Sequence, residues 1–460
     1  MRSDNPQKLF GTDGIRGEAG KFPLDPATVR IVGRSLARRL ADAAQGRAPR
    51  IVAGRDTRES GAWIERELIL GAREAGAEVQ SAGVITTPGV AYLARSLPAD
   101  AGVVISASHN PYHDNGIKVF DPSGRKLGDA TERGIEADIA ASAPDQVGTS
   151  SWEGGSESAN EELRVRYLAY LIHDVARDLS LRWLTMVVDC ANGAAYQLGP
   201  ELFRRLGASV IVLNDKPDGR NINLNCGSLH IDGLRNRVVA VQADLGVAFD
   251  GDADRALFVD SNGEFVDGDA TMWVMANYLK QRGELVDDKV IATVMSNIGL
   301  EIALRSQRID LVRTDVGDKY VLEELIRSHA SLGGEQSGHI IFPRLSLAGD
   351  GLITTISLLR AVSDQKKSLA DLVKGFERFP QVLVNVRVSE KRPFEELAAV
   401  QNASRTVLSE LGNRGRLLLR YSGTEPLARI MIEGESQARI EVQANGIAEA
   451  IKFEIGAVVA

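Results

Sequence analysis

Long apolar runs are missing from this 460-residue chain; no stretch approaches the ~18 consecutive apolar residues that a membrane-spanning helix needs. The start, MRSDNPQKLFGTDGIRG, lacks the apolar core of a secretory signal, so no membrane partner and a cytoplasmic location are expected. Cysteine is scarce. Only Cys190 and Cys226 occur, neither in a CxxC pair, which argues against a disulfide framework or a zinc site. Blocks of Lys and Arg and aromatic–basic stripes are also absent, and the formal net charge is -8, so no nucleic-acid partner is expected. An acidic protein can still bind phosphates, but it must gather its arginines locally.

What remains has the make-up of an ordinary globular protein, and its length exceeds what one hydrophobic core supports, so several domains are expected. One pattern recurs three times: an apolar run, a polar loop, a helical stretch, a small-residue stop and a second apolar run. The copies start at RIVAGRDTRESG, LTMVVDCANGAAY and DKVIATVMSN, with Gly76 and Gly207 past the helix ends of the first two. Strands alternating with helices of this size predict βαβ units, hence three related α/β domains with mainly parallel mixed sheets. The Ser-, Gly- and acid-rich segment 143–162 reads as an exposed linker. Beyond SDQKKS (363–368) the chain alternates apolar and polar residues around one helical stretch, which predicts a small α+β domain. Domains are therefore placed at 1–157, 158–256, 257–366 and 367–460.

Four loops carry residues suited to chemistry. In VVISASHNPYHDNGIKVF an apolar strand feeds a polar loop with Ser108, His109, Asn110 and Lys118. Loops at the carboxyl ends of parallel strands are where α/β proteins place ligands, although a Ser/Asn-rich turn with Pro111 at a corner would read alike. The flanking glycines of an esterase nucleophile elbow are missing. In GVAFDGDADRALFVD, Asp250, Asp252 and Asp254 alternate along the chain and Arg255 follows at once. Three carboxylates this close repel unless a cation neutralises them, and hard oxygen ligands suit Mg²⁺. A calcium-binding EF-hand is excluded, because its sixth and twelfth positions would be Gly and Glu and here are Arg255 and Ser261. An acidic, solvated turn is the plain alternative.

In LGGEQSGHIIF, glycines flank Glu335, Gln336 and Ser337, whose side chains suit sugar hydroxyls; a tight turn between strands would look the same. In RLLLRYSGTEPLARIMIEG, strand-like segments flank Ser422, Gly423 and Thr424, with Arg420 and Arg429 at the rim. Backbone N–H groups in such a turn plus two guanidinium groups make a phosphate site, against the alternative of a plain hairpin.

Taken together, ISASHNP, DGDADR, GGEQSGH and RYSGTEP, with KLFGTDGIRG from residue 8 onward, resemble the α-D-phosphohexomutases over nearly the whole chain. The resemblance implies four domains around a central cleft, each supplying one loop. It implies a phosphorylated Ser108, with one phosphate oxygen joining Asp250, Asp252 and Asp254 on one Mg²⁺ per chain. Arg16 would sit beside the phosphoserine, with His109 and Lys118 both open as the general acid/base. Arg255, Lys319, Glu335 and Ser337 would hold the sugar, and Arg420, Ser422, Gly423, Thr424 and Arg429 the distal phosphate. The implied reaction is a mutase cycle through a bound hexosamine 1,6-bisphosphate, in a monomer or homodimer whose partner is a small sugar phosphate.

GGEQSGH, MSNIGLE (295–301) and DCANGAAY (189–196) resemble the branch acting on glucosamine phosphate; the glucose/mannose branch usually has Met or another residue where Gln336 stands. Several positions depart from that branch. Ala253 replaces a common Gly, Tyr421 a common Pro, Leu229 a common Thr, and Asp315 with Lys319 the more usual Lys and Arg. Ala253 is harmless unless its φ is positive, whereas Asp315 and Lys319 could alter sugar preference. The alternatives are a phosphoglucomutase/phosphomannomutase, a phosphatase, and a sugar-phosphate-binding relative without turnover; the last would have lost a nucleophile or ligand, and none is lost.

Overall fold

The structure, a computed structural model, describes residues 8–11, 13–142, 157–422 and 425–456. The first sheet contains β1 (Phe10–Gly11), β2 (Gly14–Glu18), β3 (Arg50–Arg55), β4 (Glu78–Val84), β5 (Ala101–Ile105) and β6 (Asp114–Phe120). Its order is β1-β2-β6-β5-β3-β4. Helices α1 (Pro26–Ala43), α2 (Gly61–Glu74), α3 (Thr87–Ser96) and α4 (Asp129–Ala141) surround it. Apolar residues of α1 and α2 pack with inward residues of the strands, among them Leu36, Leu68, Ile51 and Val103, all buried. The two helices cross at backbone contact: a Cβ on Gly33 would lie 2.0 Å from the Leu68 carbonyl oxygen, and one on Gly71 2.0 Å from that of Arg30. Only glycine fits at either position.

The second sheet follows α5 (Glu157–Tyr170). It contains β7 (Thr185–Asp189), β8 (Ser209–Leu213), β9 (Leu245–Phe249), β10 (Ala256–Asp260) and β11 (Phe265–Val266), with α6 (Leu198–Arg205) and α7 (Asp232–Val241). After α8 (Gly268–Gln281) the third sheet contains β12 (Lys289–Thr293), β13 (Asp310–Thr314), β14 (Gly333–Gly334) and β15 (Ile340–Ile341), with α9 (Ile298–Ser306) and α10 (Asp318–Arg327).

The strand orders expose the repeat that the sequence half shows. The first sheet runs β4-β3-β5-β6, the second β8-β7-β9-β10 and the third β13-β12-β14-β15. In each, a βαβ unit is followed by a second helix, a third strand parallel to the first (β5, β9, β14), and then an antiparallel strand. The loop joining those last two strands is the one carrying Ser108, the aspartates, or Glu335. Three chemistry-bearing loops thus occupy one topological position three times. Gly76 and Gly207 end α2 and α6 with φ of 85° and 101°; in the third copy Arg308 takes that place at φ 57°.

Beyond α11 (Gly351–Gln365) and α12 (Leu369–Val373), the last sheet is antiparallel. It contains β16 (Gln381–Arg387), β17 (Arg416–Tyr421) and β18 (Leu427–Glu433), with α13 (Ala398–Leu411) and α14 (Gln437–Ile455), in the order β16-β18-β17. This is the α+β domain expected from the alternating pattern.

Three features of the structure bear on how the chain divides. Helix α5 begins at Glu157 and packs on β4 of the first sheet, so the linker reading of 143–162 does not hold for its last residues; 143–156 lie outside the described residues. Strand β10 pairs with β9 along its length, so the second domain runs past residue 256. The chain also divides into two compact units, one within Met1–Met295 and Val312–Val373, the other within Ser296–Leu311 and Lys374–Ala460. Residues 296–311 join the latter because Glu433, fully buried, accepts hydrogen bonds from Asn297 Nδ2 (3.2 Å), the Ile298 N–H (3.1 Å) and Arg416 Nε (2.9 Å). A buried carboxylate without such partners would destabilise the fold, so Glu433 binds the start of α9 to its own hairpin.

Candidate active site

Ser108 lies just past β5 with φ 52°, a left-handed conformation that a side chain normally avoids. The loop is over-determined, which is how such strain persists. Arg58 NH2 donates to the carbonyls of Ser108 (3.1 Å) and Asn110 (2.5 Å), and Asn223 Nδ2 donates to the same two oxygens (2.9 and 3.1 Å). Buried Asp56 pairs with the Arg58 guanidinium. From below, Gly251 presses on the loop, since a Cβ there would stand 2.5 Å from the Ser108 carbonyl oxygen. The result is a buried serine whose Oγ donates to Asp250 Oδ2 at 2.5 Å.

Asp250, Asp252 and Asp254 are buried on the β9–β10 loop, with one carboxylate oxygen of each within 4.8 Å of the others. Burial first, then the charges of Asp254 and Asp252, push the Asp250 carboxyl well above its usual range. Asp252 Oδ2 accepts from Thr87 Oγ1 (2.6 Å) and Lys118 Nζ (2.9 Å). Oδ1 of Asp252 and Oδ1 of Asp254 are buried with no hydrogen-bond partner among the described residues. Orphaned carboxylate oxygens in a cluster of three are the donor set a hard divalent cation requires, so these residues fit Mg²⁺. Ala253, between two of them, has φ 55°. It is therefore not harmless: a Cβ in this region costs about 1–2 kcal/mol relative to Gly.

His109 Nδ1 is 3.4 Å from Ser108 Oγ, and burial plus the nearby Arg255 and Arg16 charges lower its pKa to about 4. It is neutral at pH 7 and able to accept a proton. Lys118 is fully buried on β6, between Asp13 Oδ2 (3.1 Å), Asp252 Oδ2 (2.9 Å) and Asp254 Oδ2 (3.3 Å). Burial alone would lower its pKa, but these three carboxylates raise it well above the ordinary value, so the ammonium stays charged. Arg16 pairs with Asp13. A cavity of about 500 Å³ brings Arg16, His109, Asp254 and Arg255 to Glu335 and His339. It draws on all three sheets of one compact unit.

Of the sugar-loop residues, Glu335 faces this cavity, while Ser337 Oγ stands 3.5 Å from Glu335 Oε2. A Cβ on Gly268 would meet the Glu335 carbonyl oxygen at 2.0 Å, which fixes the tight hairpin. Lys319 is not in this cavity; its Nζ sits 2.5 Å from Asp129 Oδ1. In the C-terminal unit, Arg420 and Arg429 are directly opposed across β17 and β18. Arg429 also meets Glu425 Oε2 at 3.1 Å. Arg429 reaches Ser422 Oγ at 3.5 Å, and Lys391 Nζ donates to the Ser422 carbonyl at 2.6 Å. Tyr421, the departure from Pro, stacks on Phe394 at 4.3 Å and donates to the Arg392 carbonyl (2.6 Å). Gly423 and Thr424 lie outside the described residues.

Sequence reasoning missed Asp13, Lys126, Asp318 and His339. Asp13 and His339 sit inside quoted motifs (TDGIRG, GGEQSGH) and Asp318 lies beside Lys319, but nothing in one dimension says they meet. Lys126 carries no signal at all. Burial opposes charge on His339, yet Asp254 and then Asp318 raise its pKa from 6.5 to about 9. A raised folded-state pKa contributes stability that is fully present below the unfolded value and lost as pH rises through the folded one. The melting-temperature gap between the protein and a His339→Gln variant should therefore be widest at about pH 6 and close by about pH 9.5. A gap independent of pH, measured by calorimetry, would mean that His339 is neutral in the fold.

Comparison with known proteins agrees with this architecture. The four phosphoglucomutase/phosphomannomutase domains match in order: alpha/beta/alpha domain I over residues 7–145, domain II over 165–263, domain III over 267–379 and the C-terminal domain over 383–450. A phosphoglucosamine mutase from Solibacter usitatus is 49% identical over 454 residues, spanning 97% of this chain and 99% of its own. Among solved structures, a phosphoglucomutase/phosphomannomutase family protein from Burkholderia thailandensis aligns with a TM-score of 0.78 at 24% identity, covering 98% of this chain and 99% of that one. An Aspergillus fumigatus N-acetylphosphoglucosamine mutase, crystallised with GlcNAc-6P and magnesium, aligns with a TM-score of 0.62 at 18% identity, covering 97% and 96%. The last two speak to the fold. Among the described residues no helix is long and apolar enough to cross a membrane. By its identity to full-length relatives, and by four domains matched in order, the chain belongs to the phosphoglucomutase/phosphomannomutase family, in its phosphoglucosamine mutase branch, and is an isomerase.

Proposed function

We propose that the protein interconverts glucosamine 6-phosphate and glucosamine 1-phosphate through a phosphoserine at Ser108 and a bound 1,6-bisphosphate. The observation that carries this reading is the buried Ser108 hydroxyl, hydrogen-bonded to one of three clustered aspartates with two orphaned oxygens. Phosphoryl transfer needs positioning and charge neutralisation more than covalent chemistry from the protein. Asp250, Asp252 and Asp254, with an oxygen of the Ser108 phosphate, would hold Mg²⁺, which when bound supplies positive charge beside the phosphoryl oxygens. Lys118, kept charged by its carboxylates, and Arg16 complete that neutralisation. We assign the general acid/base role to His109 rather than Lys118, a reading supported by its neutral imidazole 3.4 Å from Ser108 Oγ. Glu335 and Arg255 face the same cavity and are assigned to the sugar. Arg420, Ser422, Gly423, Thr424 and Arg429 are assigned to the phosphate that does not react. Because the bisphosphate must turn end for end, these residues accept either end of the sugar.

The glucosamine assignment rests on curated relatives of the phosphoglucosamine mutase kind. The departures at Asp315 and Lys319 favour the alternative, a phosphoglucomutase/phosphomannomutase preference. Lys319 engages Asp129, and that removes part of its weight. Side-by-side turnover of glucosamine 6-phosphate, glucose 6-phosphate and mannose 6-phosphate by one preparation tests the choice. Glucosamine 6-phosphate should have the highest kcat/KM; a higher value for either of the others overturns the assignment.

A further inference from the structure

Two cavities of the first unit share a wall. The smaller, of about 500 Å³, holds Arg16, His109 and Arg255; the larger, of about 860 Å³, reaches Lys118 and Lys126. Asp13, Asp254, Asp318 and His339 line both. These four side chains and the two lysines alternate in sign around a closed circuit. Asp254 meets Lys118 at 3.3 Å and Lys118 meets Asp13 at 3.1 Å. Asp13 meets Lys126 at 2.5 Å and Lys126 meets Asp318 at 2.6 Å. Asp318 then faces His339 at 3.7 Å, and His339 faces Asp254 at 3.8 Å, closing the ring. Three carboxylates alternate with two ammonium groups and the His339 imidazole. Lys126 stands farthest along the ring from Asp254, with Asp13 and Asp318 on either side of it, yet the Lys126 and Asp318 side chains are each only 20% exposed.

A phosphoserine mutase has to keep water from the phosphorus while admitting a sugar hydroxyl, because water is the smaller competitor for the same transfer. The larger cavity has room for many waters, at about 30 Å³ each, and Lys118 and Asp254 are among the residues that line it. We propose that Lys126 and Asp318 are positioning residues that hold this wall shut, and so set the ratio of isomerisation to hydrolysis. The proposal rests on the phosphoserine reading above. Without the Lys126 ammonium, Asp13 keeps Lys118 and Asp318 keeps His339, but no cation bridges the two carboxylates. They separate and draw water between them, and the barrier behind Lys118 opens. The leak is a defined step. A water oxygen bonds to phosphorus, the bond from phosphorus to Ser108 Oγ breaks with its electron pair left on Oγ, and Oγ takes a proton from the water. Free serine and inorganic phosphate result.

The test compares the parent with Lys126→Met, Asp318→Asn and Lys126→Arg. Two quantities are read: inorganic phosphate released per sugar phosphate isomerised, and decay of phosphorylated protein without sugar, followed by intact mass. Both should rise about tenfold or more in Lys126→Met and Asp318→Asn and stay near the parent value in Lys126→Arg. Folded variants with unchanged release and decay would overturn the proposal, even with a lower kcat, since a merely structural role slows isomerisation without opening it to water. If Lys126→Met does not fold, Asp318→Asn decides alone. A parent protein that never carries phosphate on Ser108 would instead overturn the phosphoserine reading, and the wall's role with it.

Discussion

Ser108→Ala should fold as the parent does and lose turnover by roughly a thousandfold or more, because a covalent phosphoryl carrier has no substitute in the loop. Ser106 is also buried, but its Oγ accepts from the Ser108 N–H at 2.9 Å and holds the turn rather than the reacting group. The lost hydroxyl leaves Asp250 Oδ2 without its 2.5 Å donor, an effect of about 1–3 kcal/mol that an enzyme of this size tolerates. Intact-mass analysis of the parent should show a fraction with one phosphate on a peptide containing Ser108. That group adds roughly -1.5 to -2 charges beside Arg16, His109 and Lys118. Dephosphorylated parent should be nearly inactive until a hexose 1,6-bisphosphate is supplied, since the first half-reaction then lacks a donor. Substantial mutase activity in Ser108→Ala without added bisphosphate would mean direct transfer or another nucleophile, and the mechanism would fall while the fold stood.

Chelation should abolish activity and Mg²⁺ should restore it. The reason is electrostatic. Three buried carboxylates crowd one loop, and the charged groups within reach, Lys118, Arg255 and His339, leave Oδ1 of Asp252 and of Asp254 without a hydrogen bond. A cation that binds the folded chain alone also raises its melting temperature, increasingly with cation concentration, which gives a readout independent of turnover. Asp252→Asn should lower kcat/KM by about a hundredfold or more and weaken that Mg²⁺-dependent rise, because it removes one of the three negative charges that hold the cation. Full activity in excess chelator with no residual metal, or a near-normal Asp252→Asn, would take the metal out of the reading.

The sequence by itself determined a good deal of this protein. Alternating β-branched runs and helical stretches gave the three α/β domains, since the period of a strand or helix is local information. The four loops were legible because each joins strand ends with residues too polar and too turn-prone to be core. Resemblance then carried Ser108, the aspartates and Arg255 to one chemistry. The fold bears out the βαβ repeats and the C-terminal α+β domain, and it adds that three of the four loops occupy one topological position.

The tertiary structure alone decided the rest. Strand pairing and buried polar satisfaction tie segments together across the chain, as β10 on β9 and Glu433 on α9 show, and neither follows from composition. Positive φ at Ser108 and Ala253 was invisible, since neither residue type announces it; only the surrounding hydrogen bonds make it sustainable. The ring of Asp13, Lys118, Lys126, Asp318, His339 and Asp254 was beyond reach for a plain reason. Its members are spread from residue 13 to residue 339 and meet only when three sheets fold into one unit. A charge is easy to read in a sequence, but the partner that fixes its pKa, its geometry and its role is a neighbour in space.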